Sequence, residues 1–437
     1  MQFLDLPIEL LPEILKYVVK PQHLASACLV NKAFRTFATT RLYERIFIYS
    51  WHKEGKAKVV KLFDTLSRRP YLASLLRRLE IRDFPKAITL LDSDVLNHVQ
   101  RGLRNCTGLR ACTWTRDGSL NSEILEALIQ CPDLRELELN GHNDGHYDPR
   151  LLLHFRHLSR ISIIMPSPAV VSKLEPWLSS TGNTLRSLTL ICKASTIITD
   201  ALLESIAPYL VHLEHLNLTG CPKVTHRGVW ALVSSNLNGL IGLGLEGVSP
   251  KFDMQLFAKQ CIDYDALRRL RSVTLTVQQQ VSMKEWISGV IDLLSLSPLE
   301  LFQIYSTGAF FESPMTDDMW QKLISAHGTR LVRFSIHRML ISLEAIRDIC
   351  IKCINLEQLF VVVEPSSLEQ LAEALSFAHR LRTVHINYPT EAFSDAPPVL
   401  QVERRITTDE HGALQAHRTL APYGNPEVPE QFLVVRT

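Results

Sequence analysis

Apolar positions recur along this chain in one short pattern: apolar, two variable, apolar, one variable, apolar. It reads LRRLEI at 76–81, LRACTW at 109–114, LRELEL at 134–139, LSRISI at 158–163, LRSLTL at 185–190 and LEHLNL at 213–218. It continues as LIGLGL at 240–245, LRSVTL at 270–275, LELFQI at 299–304, LVRFSI at 331–336, LEQLFV at 356–361 and LRTVHI at 381–386. Successive windows begin 24 to 33 residues apart. The end of each window alternates apolar with variable residues, the periodicity of a strand with one buried face. Between windows the apolar residues fall at helical spacing, as in Ile124, Leu125, Leu128 and Ile129, in Leu202, Leu203 and Ile206, and in Leu368, Leu371 and Leu375. Ser282 with Glu285, and Ser366 with Glu369, have the spacing of a capping box. Each unit is one strand and one helix in roughly 28 residues, and it buries its apolar face only by stacking on its neighbours.

These windows resemble the leucine-rich repeat family, over residues 75–388. The cysteine-containing subtype fits best. Cys106, Cys131 and Cys353 each precede a first anchor by three residues, and LNLTGCPKVTHRGVWAL at 216–232 follows the longer consensus. The stretches near 85–108 and 305–330 fit less well. The resemblance implies an α/β solenoid of about twelve repeats, with a curved parallel sheet inside and helices outside. Both ends of such an array need a cap.

Residues 1–46 do not follow the repeat. They read FLDLPIELLPEILKYV, a short Pro21-Gln22 break, then HLASACLVNKAFRTFATTRLYERI. Pro7 suits the first turn of a helix, and Leu11, Ile14, Leu15 and Val18 then share a face. A second helix offers Leu24, Ala27, Cys28, Phe34 and Phe37 for packing. A segment this small buries too little surface alone, so a partner is expected. The segment resembles an F-box. The match is Leu6-Pro7-x-Glu9, then Leu11, Ile14 and Leu15, then Leu29-Val30-Asn31-Lys32-Ala33-Phe34, then Leu42-Tyr43. Asn31 stands where the family usually has Cys or Ser, and Phe34 where Trp or Phe is common. The resemblance implies a small all-α module docking on a Skp1-type adaptor, and through it on a cullin. Leu6, Pro7, Ile14, Leu15, Val30 and Phe34 would be its apolar contacts. The alternative is that residues 1–46 only cap the first repeat.

Residues 47–75 carry Lys53, Lys56, Lys58, Lys61, Arg68 and Arg69, and read as a basic helical linker. No aromatic interleaving points to nucleic acid, so a solvated helix face is the reading. The repeats occupy 76–388. Residues 389–437 form a Pro-rich cap or tail, in which Val399 to Ile406 is a candidate strand over the last repeat.

Composition narrows the class. In 437 residues, 47 Lys and Arg oppose 45 Asp and Glu, for a net charge of +2. No bulk field marks a nucleic-acid or membrane-surface binder. No apolar run approaches the roughly 20 residues a bilayer requires. Asp5 and Glu9, without an early Lys or Arg, do not read as a secretory signal. The nine cysteines are read as reduced thiols, which places the chain in the cytoplasm or nucleus.

Catalytic signatures do not emerge. Gly242 and Gly244 lie inside a strand window rather than between strand and helix, so they do not form a phosphate loop. Cys350-Ile351-Lys352-Cys353 is a lone C-x-x-C. The loop Gly141-His142-Asn143-Asp144-Gly145-His146-Tyr147-Asp148 gathers two imidazoles and two carboxylates, a possible divalent-ion site made of ordinary loop residues. Ser-Pro pairs at 167–168, 249–250, 297–298 and 313–314 are phosphorylation candidates or turn signals. No catalytic, cofactor-binding or metal-binding residue is assigned.

The residues between anchors point away from the core and line the face on which solenoids bind partners. Tyr305, Arg333, His337 and Phe360 sit there on three successive strands, and aromatics with Arg are the usual energetic anchors of interfaces. Gly242 and Gly244 leave an expected dent for an approaching backbone. These six are the candidate target contacts. Together the two resemblances imply a non-catalytic substrate-recognition subunit of a cullin-RING ubiquitin ligase, marking targets for proteasomal degradation. The alternative is a repeat scaffold or inhibitor with no ubiquitin role. Exposure or burial of Leu6, Pro7 and Ile14 separates the two.

Overall fold

The computed structural model describes residues 7–50, 52, 54–84, 93–277, 283–306, 317–363, 368–389, 400–408, 414–422 and 430–436. Leu6, Ser282, Ser366 and the 313–314 pair lie outside the described residues. The chain divides into two compact units: Met1–Ile198 with Glu204–Leu213, and Thr199–Leu203 with Glu214–Thr437.

The first unit opens with three helices, α1 (Leu11–Lys16), α2 (Pro21–Ala27) and α3 (Lys32–Glu44). They enclose a core of their own, made of Leu11, Leu15, Leu24 and Ala38, with Phe34, Phe37 and Leu42 packed against it. Asn31 starts α3: its Oδ1 accepts the Phe34 N–H at 2.9 Å. A cap of this kind contributes about 1 kcal/mol, which explains a short polar residue between two apolar stretches.

Six parallel strands follow in that unit: β1 (Arg45–Ile48), β2 (Arg78–Ile81), β3 (Ala111–Trp114), β4 (Glu136–Asn140), β5 (Arg160–Ile164) and β6 (Ser187–Ile191). Helices α4 (Gly55–Arg68) and α5 (Pro70–Ser74) connect β1 to β2. β1 lies inside the stretch read from sequence as the end of the N-terminal module and a linker. It pairs residue for residue with β2, Ile46 opposite Leu79 and Ile48 opposite Ile81. The repeat pattern therefore starts one strand earlier than the windows suggest.

The second unit holds seven parallel strands: β7 (His215–Thr219), β8 (Gly242–Glu246), β9 (Ser272–Val277), β10 (Leu301–Ser306), β11 (Arg333–Leu340), β12 (Gln358–Val362) and β13 (Thr383–Pro389). Pairing is in phase with the sequence motif. Arg78 faces Ala111, Ala111 faces Glu136, Glu136 faces Arg160 and Arg160 faces Ser187; in the second unit His215 faces Gly242, and Leu301 faces Arg333. Equal motif positions thus meet across the parallel pairs of the windows, with a register shift between β11 and β12 after Ser335. Every anchor of the twelve windows is buried except Leu381, which is partly buried. This is the leucine-rich-repeat solenoid fold with a small helical module before it.

Polar residues lock the helix starts that follow the strands. Asn121, Thr225, Asp253 and Ser342 are N-caps accepting backbone N–H groups two or three residues on. The tail differs from expectation. Residues of the candidate capping strand form β14 (Leu400–Thr408), which pairs with β15 (Leu414–Pro422) in a separate hairpin. The strand that extends the last repeat is β16 (Glu430–Arg436), antiparallel to β13. Closing an array with a reversed strand satisfies the edge that β13 would otherwise present.

Candidate functional site

Two surfaces collect the candidate residues. On the N-terminal module, packing decides which apolar side chains stay outside. Leu11 and Leu15 turn inward onto α3, whereas Ile14 is 39% exposed and Val30 62%. Pro7 is exposed as well, and Ile8, Leu10, Tyr17, Val19 and Leu29 join this apolar surface. Of the adaptor contacts expected from sequence, Pro7, Ile14 and Val30 are outward. Leu15 is a core residue, only 3% exposed, and Phe34 is partly buried against the same core. Leu15 therefore supports the surface from beneath rather than forming it. Isolated exposed apolar residues are ordinary, and a group of them on so small a module is the candidate binding surface.

The second surface is the strand face turned away from the core. In the first unit each outward glutamate is paired with an arginine, while Arg160 on β5 stays exposed. Arg45 donates to Glu80 at 2.8 Å, and Tyr49 Oη donates to the other Glu80 oxygen at 2.9 Å. Arg78 reaches past the small Ala111 to Glu136 at 2.8 Å, and Arg82 spans to Glu138 with two bonds of 3.2 Å.

The second unit's face is built from neutral hydrogen-bonding groups and rings. Tyr305 on β10, His337 on β11, Phe360 on β12 and His385 on β13 form a continuous ladder. Tyr305 and His337 ring centroids are 5.0 Å apart, His337 and Phe360 5.9 Å, and Phe360 and His385 stack at 4.2 Å. His337 Nε2 and Ser335 Oγ are 2.8 Å apart, and Gln303 Nε2 donates to Tyr305 Oη at 3.1 Å. Tyr305 also hydrogen-bonds Glu246, which Thr219 contacts at 3.5 Å. Burial raises the Glu246 carboxyl even against these hydrogen bonds. Burial, then the Glu246 charge, raises the Tyr305 phenol. Burial, then His385, pushes His337 down to about 4. Arg333 lies with its guanidinium carbon 5.8 Å from the Phe360 ring centre, and its Nε donates to Gln358 Oε1 at 2.7 Å. The structure thus brings Tyr305, Arg333, His337 and Phe360 together, and adds His385, Ser335, Gln303, Gln358 and Glu246.

Gly242 and Gly244 belong to a different situation. A Cβ on Gly242 would lie 2.5 Å from His215 Nδ1, and one on Gly244 2.3 Å from Asn217 Oδ1. The space above the two glycines is filled by side chains of β7, so the expected dent is not open.

The remaining sequence candidates are structural. His142 stands between Asp117 and Asp144, 3.0 Å from each, while Asp148 holds Arg150 and caps the following turn. Among the described residues no group of three or more His, Cys, Asp or Glu is placed to hold a metal ion. Cys350 and Cys353 are buried, with thiols pushed up to about 12 by desolvation. Ser249 and Ser297 are buried, and Ser167 Oγ caps a helix while donating to Asn143. These three Ser-Pro pairs are turn signals. No helix among the described residues is long and apolar enough to cross a membrane.

Comparison with known proteins agrees with the N-terminal geometry. The family described as F-box-like matches residues 3–49. The chain is 27% identical over 222 residues to Protein pof5 of Schizosaccharomyces pombe (strain 972 / ATCC 24843); the match covers 49% of this chain and 57% of that protein's length. Among solved structures, one described as the crystal structure of the Rad7 and Elc1 complex in yeast aligns with a TM-score of 0.47 and 15% identity, over 84% of this chain and 94% of that one.

Proposed function

We propose that this chain is the non-catalytic target-recognition subunit of an SCF-type cullin-RING ubiquitin ligase. The F-box-like domain docks on a Skp1-type adaptor, and the strand face of the repeats holds a target protein. The observation that carries this reading is the N-terminal match joined to its geometry: the module has a core of its own and presents Pro7, Ile14 and Val30 outward. A cap for the first repeat would have turned these side chains into the array. Chemistry is not required of the chain. Holding a target near a ubiquitin-charged enzyme raises effective concentration, and that is the mechanism. Buried cysteines three residues before the anchors, Cys106, Cys131 and Cys353, favour the cysteine-containing repeat subtype. The nine free thiols fit a reducing compartment, the cytoplasm or the nucleus.

The test is binding of the full chain to purified Skp1, compared with Ile14→Asp and Val30→Asp variants. Both positions are exposed, so the variants keep their fold. Each places a charge where an apolar contact forms, and affinity falls by a factor of about ten or more. Wild-type protein that is folded and does not bind Skp1 sinks the adaptor half of the proposal and leaves a repeat scaffold.

A further inference from the structure

We propose that the target segment received by the second unit's face is an otherwise uncharged, partly aromatic stretch of polypeptide bearing a carboxylate, and that Arg333 is the residue that reads the carboxylate. This rests on the reading of that face as the target surface.

Arg45, Arg78 and Arg82, on the first unit's face, each pair with a glutamate of the same face. Arg333 has no such partner among the described residues. Its contacts are the amide of Gln358, through Nε, and the ring of Phe360. Neither neutralises it. Glu246 is three strands away, on β8, and its hydrogen bonds go to Tyr305 and Thr219.

The guanidinium is also held in place. Gln358 fixes the Nε edge, and the Phe360 ring supports the plane from one side. Nη1 and Nη2 make no hydrogen bond among the described residues. Those two donors are the fork that matches a carboxylate, and a fork already oriented loses little freedom on binding.

The backbone beside it is special too. Between the pairs Ser335–Phe360 and Leu340–Val362, β11 takes five steps where β12 takes two. Arg338, in this bulge, has φ of +57°, a left-handed conformation that costs a non-glycine residue energy. Bulges of this kind re-aim side chains next to binding sites. Here the register shift, between Ser335 and Leu340, spans His337, the second ring of the ladder.

The neighbourhood sets the rest of the ligand. On β10 to β13 most outward side chains are rings, amides and hydroxyls; Arg333 lies among them, and the exposed Arg338 of the bulge is the other arginine of β11. A polyanion such as a nucleic acid needs several cations along its path. An oriented guanidinium against Phe360, answered by no carboxylate among the described residues, suits a segment that presents an acidic group beside apolar or aromatic neighbours.

The experiment selects random twelve-residue peptides, displayed on phage, against the full wild-type chain, against Arg333→Glu and against Phe360→Ala. Skp1 binding of each variant checks the fold of the module, and circular dichroism that of the repeats. The expected result is enrichment of peptides with one Asp or Glu beside an aromatic or aliphatic residue. Such peptides bind Arg333→Glu at least tenfold more weakly, and selection on that variant yields Lys or Arg at the same place. Peptides that depend on Phe360 yet show no acidic preference, or keep the same consensus on Arg333→Glu, overturn this inference and leave the face as a target surface. Failure to recover any peptide that depends on Phe360 overturns both.

Discussion

His327 offers the most direct test of the energetics of the repeats. It ends the helix Asp317–His327, is 1% exposed, and its Nδ1 has no hydrogen-bond partner among the described residues. Burial, then the Arg330 charge, pushes its pKa from 6.5 down to about 4, with the Ser297 backbone acting weakly the other way. The unfolded chain therefore binds a proton in a range where the native chain does not. Stability is whole above pH 6.5 and is lost as pH falls toward 4. A shift of that size is worth about 3 kcal/mol when complete, and about 2 kcal/mol of it is gone between pH 7 and pH 5. The perturbation is His327→Leu, which cannot titrate. Urea unfolding of both chains at pH 7 and pH 5 gives two pH-dependent losses. Groups common to the two chains cancel in the comparison, and the wild type loses about 2 kcal/mol more than the variant. Equal losses refute the reasoning, because they mean that His327 is solvated or already charged in the native state.

Three further outcomes follow from single contacts. A Cβ on Gly182 would lie 2.1 Å from the backbone oxygen of Tyr209, so Gly182→Ala forces main chain apart and costs about 1–3 kcal/mol, visible as a lowered melting temperature. Asn31→Ala removes the cap of α3 and costs about 1 kcal/mol, and Asn31→Ser restores most of it; equal melting of Asn31→Ala and wild type contradicts the cap. Of the nine cysteines, Cys28 alone is partly exposed, so a thiol reagent such as DTNB near pH 7.5 modifies one thiol quickly and the other eight only in denaturant.

How far the sequence foretold these features depends on what each one needs. The strands were legible because alternation has a period of two and equal motif positions face one another across the sheet. β1 left the same signal in weaker letters. Tyr43, Ile46 and Ile48 occupy the three anchor positions, and Tyr43 precedes Leu76 by the same 33 residues that separate Leu76 from Leu109. An aromatic first anchor and the overlap with the helical module hid it. Leu15 and Ile14 are neighbours on α1, and only the packing of α3 decides which is core and which is surface. The pairs Arg78–Glu136 and Arg82–Glu138 skip a strand, so they follow from register, and the first also from the small Ala111 between its partners. The filling of the space over Gly242 and Gly244 depends on how His215 and Asn217 lean along the sheet, which no spacing rule contains.

The direction of the perturbed groups in the second unit says what kind of surface it is. Glu246 and Tyr305 are raised and His337 is lowered, all chiefly by burial, so each is moved toward its neutral form. Sites for proton transfer set an acid and a base against each other with pKa values near the working pH. A partner surface gains instead from groups that are already neutral, since covering them removes little hydration. Part of the ladder's hydrogen bonding is met internally, through Ser335 with His337 and Gln303 with Tyr305. A partner that covers these rings leaves those groups paired, and Arg333 remains a charge to be answered. The consequence is measurable on His337 itself. In histidine-labelled protein, the imidazole resonance that disappears in His337→Gln shows no inflection between pH 8 and pH 5.5. An inflection near pH 6.5 means a hydrated, titrating ring, and the neutral-surface argument falls with it.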